Sequence, residues 1–359
     1  MTVAYDDVLA AASRIEGRVL RTPVIEIAEG LFLKLEGLQH SGSFKVRGAF
    51  NRMLSAHVPD AGVIAASGGN HGLAVAYAAR ALGLRAEIFV PAVASPVKVA
   101  GLRALGAQVT QTGAIYSEAA DAAAMRAAET GALEVHAYDH PDVVAGQGTL
   151  GLEMMEQTGG VDTILIAVGG GGLVAGVTVG SGAAGGSERA GIAGSGTADA
   201  SEGAGRPGSG AAGGGHEGER EGGSDDGLCG GHDGGRGGGR GPAIVAVEPE
   251  LIPTLHEALK AGGPVPVAVS GVAADALGAT RLGAVAYDIV SKAGVRSLLV
   301  PDDAIEAARR TLWADFRIAA EHAGATAYAA LLSGAYVRAP GERVAVVVCG
   351  SNTDPTTLV

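Results

Sequence analysis

Alternation is the feature that most constrains this chain: short apolar runs of strand type recur between stretches of helical period, and glycine-rich turns join several of them. The run Gly62-Val63-Ile64-Ala65-Ala66 empties into Ser67-Gly68-Gly69-Asn70-His71-Gly72, and residues 73–82 follow with helical spacing. The same unit recurs as strand at 86–90, helix at 95–105, strand at 108–111, helix at 116–129 and strand at 133–136. Residues 143–157 predict a helix, and 163–168 predict a buried strand ending at Gly169-Gly170-Gly171-Gly172. Beyond residue 241, strands are expected at 244–249 and 297–300, with helices at 253–260, 282–291 and 324–332 and one opened by Asp302 and Asp303. The last run, Val344-Ala345-Val346-Val347-Val348, is wholly apolar and mostly β-branched, as a central parallel strand requires. Together these predict an α/β fold of parallel-rich open sheets flanked by helices. A smaller domain is expected at 50–143, and a larger one from 1–49 with 144–359.

Composition narrows the partners. A net charge of −12 argues against a nucleic-acid backbone or an anionic membrane surface. Two cysteines, Cys229 and Cys349, make no disulfide framework, which fits a reducing cytoplasm. Near the N-terminus Val8, Ala12, Ile15 and Val19 recur at helical spacing among charged residues, so this segment predicts an amphipathic helix and not a signal peptide. Of the 62 residues in 180–241, 26 are Gly and none is aromatic. Such a stretch buries too little apolar surface to offset its ordering entropy and is expected to be a disordered insertion in the larger domain. Its His216, Cys229 and His232 lack paired metal-ligand spacing.

The chemistry-bearing residues lie around Ser41-Gly42-Ser43-Phe44-Lys45-Val46-Arg47-Gly48, with Lys45 at the start of a predicted helix. A half-buried lysine is held near neutrality more readily than an exposed one, because desolvation disfavours the ammonium form. A neutral amine is what Schiff-base chemistry needs. The same pattern also fits a solvated lysine at a helix start. Gly169 to Gly172 would let backbone amides approach a phosphate, aided by the positive end of the next helix. They equally fit a turn that only packs helix on strand. No Walker lysine follows them, and no acidic residue closes a dinucleotide fingerprint. A lysine, an asparagine in a glycine loop, an anion cradle and the polar tip Cys349-Gly350-Ser351-Asn352 together suit a ligand with a carbonyl and a phosphate, as pyridoxal phosphate has. A nucleotide-binding module, and a protein that binds this cofactor without turnover, are the non-catalytic alternatives.

These motifs, with Leu33-Lys34-Leu35-Glu36, Gly146-Gln147-Gly148-Thr149 and Val247-Glu248-Pro249, resemble in kind and order those of the fold-type II pyridoxal-phosphate enzymes, the two-domain tryptophan synthase β-like group. Within it they resemble the threonine/serine dehydratases and serine racemase. The resemblance implies β-elimination of L-threonine or L-serine to a 2-oxo acid and ammonia, or lyase or racemase action on another hydroxy amino acid such as 3-hydroxyaspartate. It implies a small-molecule amino-acid substrate, and a homo-oligomer, a dimer, is expected; with no second domain expected after the catalytic one, the feedback-regulated biosynthetic form is not. By the same resemblance Lys45 binds the cofactor covalently with Phe44 beside its ring. Asn70 meets the ring hydroxyl, Gly169, Gly170, Gly171, Gly172 and Leu173 hold the phosphate, and Cys349 faces the ring nitrogen. Ser67, Gly68, Asn70 and His71 take the substrate, with Ser67 also a catalytic candidate, and Glu321 resembles a glutamate near the ring.

Three departures carry expectations. Cys349 stands where the family has a serine; a thiol is a weak donor and leaves a pyridine nitrogen unprotonated much as a hydroxyl does. Gly68 occupies the place of the serine on the opposite face in serine racemase, so elimination without efficient racemisation is expected. Glu248 matches a cation ligand of some relatives, but Thr254 replaces the accompanying aspartate, so no metal is expected.

Overall fold

A computed structural model of the chain describes residues 2–184 and 241–358. His216, Cys229 and His232, with nearly all of the 180–241 stretch, lie outside the described residues. In chain order, α1 (Tyr5–Ile15) precedes the hairpin of β1 (Val24–Ala28) and β2 (Leu31–Leu35), and α2 (Lys45–Ser55) follows. Then come β3 (Val63–Ala66), α3 (Asn70–Ala81), β4 (Ala86–Val90), α4 (Pro96–Ala104), β5 (Gln108–Gln111), α5 (Tyr116–Thr130) and β6 (Leu133–Glu134). The chain continues through α6 (Pro141–Thr158), β7 (Thr163–Ala167) and α7 (Gly172–Gly180). After the undescribed stretch follow β8 (Ala243–Pro249), α8 (Thr254–Ala261), α9 (Ala274–Leu277), α10 (Ala284–Lys292), β9 (Arg296–Val300), α11 (Asp302–Phe316), α12 (His322–Leu332) and β10 (Val344–Val348).

Ten strands form two sheets among the described residues, ordered β1-β2-β10-β7-β8-β9 and β5-β4-β3-β6. All pairings are parallel except β1 with β2. Residues 24–28 thus form an antiparallel edge strand, a common addition to a parallel sheet. In β10 every residue is buried, and Val346 lies opposite both Leu33 of β2 and Leu165 of β7. A strand covered on both faces has no use for alternation, which is why its sequence is uniformly apolar.

Two helix contacts explain much of the glycine. A Cβ on Gly176 would fall on the Val144 carbonyl, and one on Gly180 on the Gly148 carbonyl, so α6 and α7 approach backbone to backbone. Gly180, expected to open the insertion, is instead the fully buried last residue of α7. Among the described residues no helix is long and apolar enough to cross a membrane.

Strand order also fixes where a ligand can sit. From β7 the chain steps to β8 and β9 in one direction, yet β10 inserts on the other side of β7. In the smaller sheet β3 steps to β4 and β5, while β6 returns to the far side of β3. Crevices open at the carboxyl ends of strands where the order reverses. One such crevice is edged by residues after β7 and β10, the other by residues after β3 and β6.

Candidate active site

The two crevices meet in one pocket. Phe44, Lys45, Asn70, Tyr138, Gly169 to Leu173, Leu277, Glu321 and Cys349 are among its lining residues. Lys45 is the first residue of α2, and its position is set by β10: Phe44 N–H donates to Cys349 O at 3.3 Å, and Ser43 bridges Gly350. Ser41 and Gly42, at φ 60° and 75°, make the turn that brings the chain there. Asn352 packs against Gly42 so closely that a Cβ at this position would overlap its amide, which is why glycine is required.

The Lys45 amine donates to Ala137 O at 2.9 Å and stands 5.1 Å from the centre of the Phe44 ring. Burial lowers its pKa to about 8, against the opposing influence of Cys349 and Glu321. The thiol of Cys349 is buried, donates to Ala323 O at 3.5 Å and is pushed well up by desolvation, so it stays neutral. Glu321 is raised to about 7, chiefly by burial, although Asn70 Nδ2 donates to its Oε1 at 2.6 Å. Asn70 Oδ1 in turn accepts from Asn352 Nδ2 at 2.7 Å.

The glycine turn has its own geometry. Gly171 caps α7 at φ 88°, a conformation that side chains disfavour, and a Cβ there would strike Ala286 at 2.7 Å. A Cβ on Gly170 would fall on the Tyr138 ring, and one on Gly172 would lie 2.8 Å from Tyr138 O. The turn therefore packs closely against Tyr138 and α10. Its carbonyls are engaged from behind: Gly169 O accepts from Thr254 Oγ1 at 2.6 Å and Gly170 O from Gly283 N–H at 3.0 Å.

Ser67, Gly68 and His71 border the pocket without lining it. Ser67 Oγ accepts from Gly69 N–H at 3.2 Å, at the entry to α3. His71, expected with the loop from Ser67 to take the substrate, keeps its side chain out of the pocket lining. That ring is buried, its Nε2 lies 2.7 Å from Val135 O, and an acceptor-only partner makes Nε2 the protonated nitrogen. Burial and the Lys45 charge push its pKa down to about 3, so it is neutral and cannot serve as an acid. Glu248 lies behind the pocket, fully buried. Its Oε1 accepts from Leu255 N–H and contacts Thr254 Oγ1, and its Oε2 accepts from His256 N–H and Ser297 Oγ. Those donors leave the carboxylate poorly suited to a cation, and no metal-ligand cluster occurs among the described residues.

Tyr138 and Ala137 were not foreseen. Both follow β6 on the carboxyl edge that carries Ser67 after β3. The turn signal was present, since His136 Nδ1 accepts from the Tyr138 and Asp139 N–H groups just before Pro141 starts α6.

A buried amine that is partly neutral, facing a glycine turn with free N–H groups in one pocket, fits a ligand carrying an aldehyde and a phosphate. Comparison with known proteins agrees. The sequence model described as pyridoxal-phosphate dependent enzyme matches residues 15–213 and 222–350. The chain is 30% identical to the L-threonine ammonia-lyase of Thermotoga maritima, over 98% of this chain and 76% of that one. It is 31% identical to the phenylserine dehydratase of Ralstonia pickettii, over 99% of this chain and 96% of the other. The structure of maize serine racemase superposes with a TM-score of 0.79 at 26% identity, covering 100% of this chain and 96% of that one.

Proposed function

The chain belongs to the pyridoxal-phosphate dependent enzymes, and from that premise we propose that it eliminates the β-hydroxyl of L-threonine, L-serine or both, yielding a 2-oxo acid and ammonia. The observation that carries the proposal is the buried Lys45 amine, shared by one pocket with Asn70, the glycine turn and Cys349. In it the four-stranded sheet belongs to a smaller domain, 50–143, and residues 1–49 with 144–359 form the larger, cofactor-holding one.

Pyridoxal phosphate, when bound, supplies the electron sink for carbanion chemistry. The chain's residues do the rest. N–H groups of Gly170 to Leu173, at the start of α7, hold the phosphate. Asn70, oriented by Glu321 on one side and Asn352 on the other, offers its remaining N–H to the ring hydroxyl. The first N–H groups of α3 and Ser67 hold the substrate carboxylate. Lys45, with a pKa of about 8, exists in part as free base at neutral pH and accepts the α-proton. Cys349, neutral and a weak donor, would leave the ring nitrogen of the bound cofactor unprotonated, which suits elimination. The β-hydroxyl leaves as water, taking up the proton that Lys45 accepted, and the released enamine hydrolyses to the 2-oxo acid and ammonia. A homodimer in the cytoplasm belongs to the same proposal.

Oxo-acid formation should be followed with L-threonine, L-serine, 3-hydroxyaspartate and phenylserine, using Lys45→Ala as the blank. Turnover of threonine or serine above the other two is expected. Preference for 3-hydroxyaspartate would move the assignment to that lyase activity. Aldehyde-dependent colour with no oxo acid from any substrate would make the chain a cofactor-binding protein.

A further inference from the structure

We infer that Thr254 is a positioning residue for the glycine turn: backed by Glu248, its hydroxyl fixes the Gly169–Gly170 peptide so that the Gly170 N–H faces the pocket. This rests on taking Gly169 to Gly172 as the phosphate cradle. Thr254 is fully buried and stands outside the pocket lining, whereas Gly169 and Gly170 line it. Its Oγ1 donates to Gly169 O at 2.6 Å. A trans peptide points its C=O and the following N–H in opposite directions, and no cis peptide occurs among the described residues. Tying the Gly169 carbonyl outward therefore turns the Gly170 N–H inward.

A hydroxyl has one proton for two neighbours. The contact to Gly169 O is the shorter; the one to Glu248 Oε1 is 3.0 Å. Burial pushes the Glu248 carboxyl above its usual range, against the hydrogen bonds of Leu255, His256, Ser297 and Thr254. Glu248 is itself fixed by the Leu255 and His256 N–H groups at 2.7 and 2.9 Å and by Ser297 Oγ at 3.0 Å, so Thr254 has little freedom to turn. The next peptide is oriented in the same way, but by a backbone group, Gly283 N–H on Gly170 O. Of the two ties, only that of Thr254 uses a side chain that a substitution can remove.

The test compares binding of pyridoxal phosphate and of pyridoxal, which lacks the phosphate, to native protein and to Thr254→Val and Thr254→Ser. Valine keeps the volume and removes the donor; serine keeps the donor. Thr254→Val should weaken pyridoxal phosphate about tenfold, the worth of one well-placed hydrogen bond, and leave pyridoxal within about twofold. Thr254→Ser should restore native affinity for both. Equal weakening of both ligands by valine, or no weakening of either, overturns the inference. If Thr254→Val does not fold, Thr254→Cys, a near-isostere with a weak donor, takes its place: selective weakening of pyridoxal phosphate supports the inference, and equal or absent weakening overturns it. Equal affinity of the native protein for the two ligands overturns the cradle assignment and this inference with it.

Discussion

Lys45 captures an aldehyde only as the free amine, and burial places its pKa at about 8 in place of 10.5. At pH 7 about one amine in ten is then neutral, against about one in three thousand for a solvated lysine. Capture of pyridoxal phosphate by cofactor-free protein should accelerate about tenfold per pH unit up to about pH 8 and then level off. Glu321 tunes that midpoint, because an anion in the pocket stabilises the ammonium, and removing it lowers the Lys45 pKa further. Glu321→Gln should therefore move the midpoint down. Because Glu321 itself titrates at about 7, the two proteins should differ between about pH 7 and pH 9, and converge below about pH 6, where Glu321 is protonated, and again above about pH 9, where both amines are neutral. Borohydride trapping after timed mixing from pH 6 to pH 10, with Lys45→Ala as baseline, measures both curves. Titration of the free cofactor is common to both proteins and cancels in the ratio of their rates. A native rate still climbing through pH 10, or a midpoint raised by Glu321→Gln, would refute the electrostatics used for this pocket.

Three further outcomes follow from the packing. Arg47 is buried between Glu36, at 2.7 and 2.8 Å, and Glu153, at 3.0 Å; Glu153 keeps Lys34, but Arg47→Met leaves the buried Glu36 carboxylate without its ion-pair partner and should cost about 3 kcal/mol, read from the urea midpoint. Gly180→Ala ought to favour an isolated helix by about 1 kcal/mol, yet its Cβ meets the Gly148 carbonyl, so a net loss of about 2 kcal/mol is expected and a gain would show that α6 and α7 can part. At Gly68 a Cβ would meet only Val90, with Cγ1 at 3.6 Å, so Gly68→Ser should fold normally, and D-serine should accumulate from L-serine with this variant and not with the native protein.

The sheets were legible because their physics is local. Val344–Val348 could be little else than a covered strand, and the start of α4 was marked by Ser95, whose Oγ accepts from Lys98 N–H at 3.4 Å ahead of the turn Pro96 permits. Residues 24–28 were missed as a strand because they alternate only weakly and owe their conformation to pairing with β2, as Val24 does opposite Lys34. The boundary at Gly180 was misplaced for a related reason. Glycine signals a break when its neighbours are solvent, but here the neighbour is the Gly148 backbone, and that proximity is a property of two packed helices.

The same distinction runs through the pocket. Groups that face a ligand have types dictated by its chemistry, so Lys45, Asn70 and the glycine turn stood out in sequence. Groups that hold those in place need only supply one donor or acceptor at one point, and many residue types can do so. Asn70 is fixed by Glu321 and Asn352, which lie 251 and 282 residues further along the chain. Gly169 is fixed by Thr254, 85 residues away. Lys45 rests on a backbone carbonyl, that of Ala137, which has no sequence signature at all. Asn352 follows β10 and Ala137 follows β6, the two strands inserted where an order reverses, so part of the supporting layer is written in the topology and becomes visible only once the two sheets are assembled.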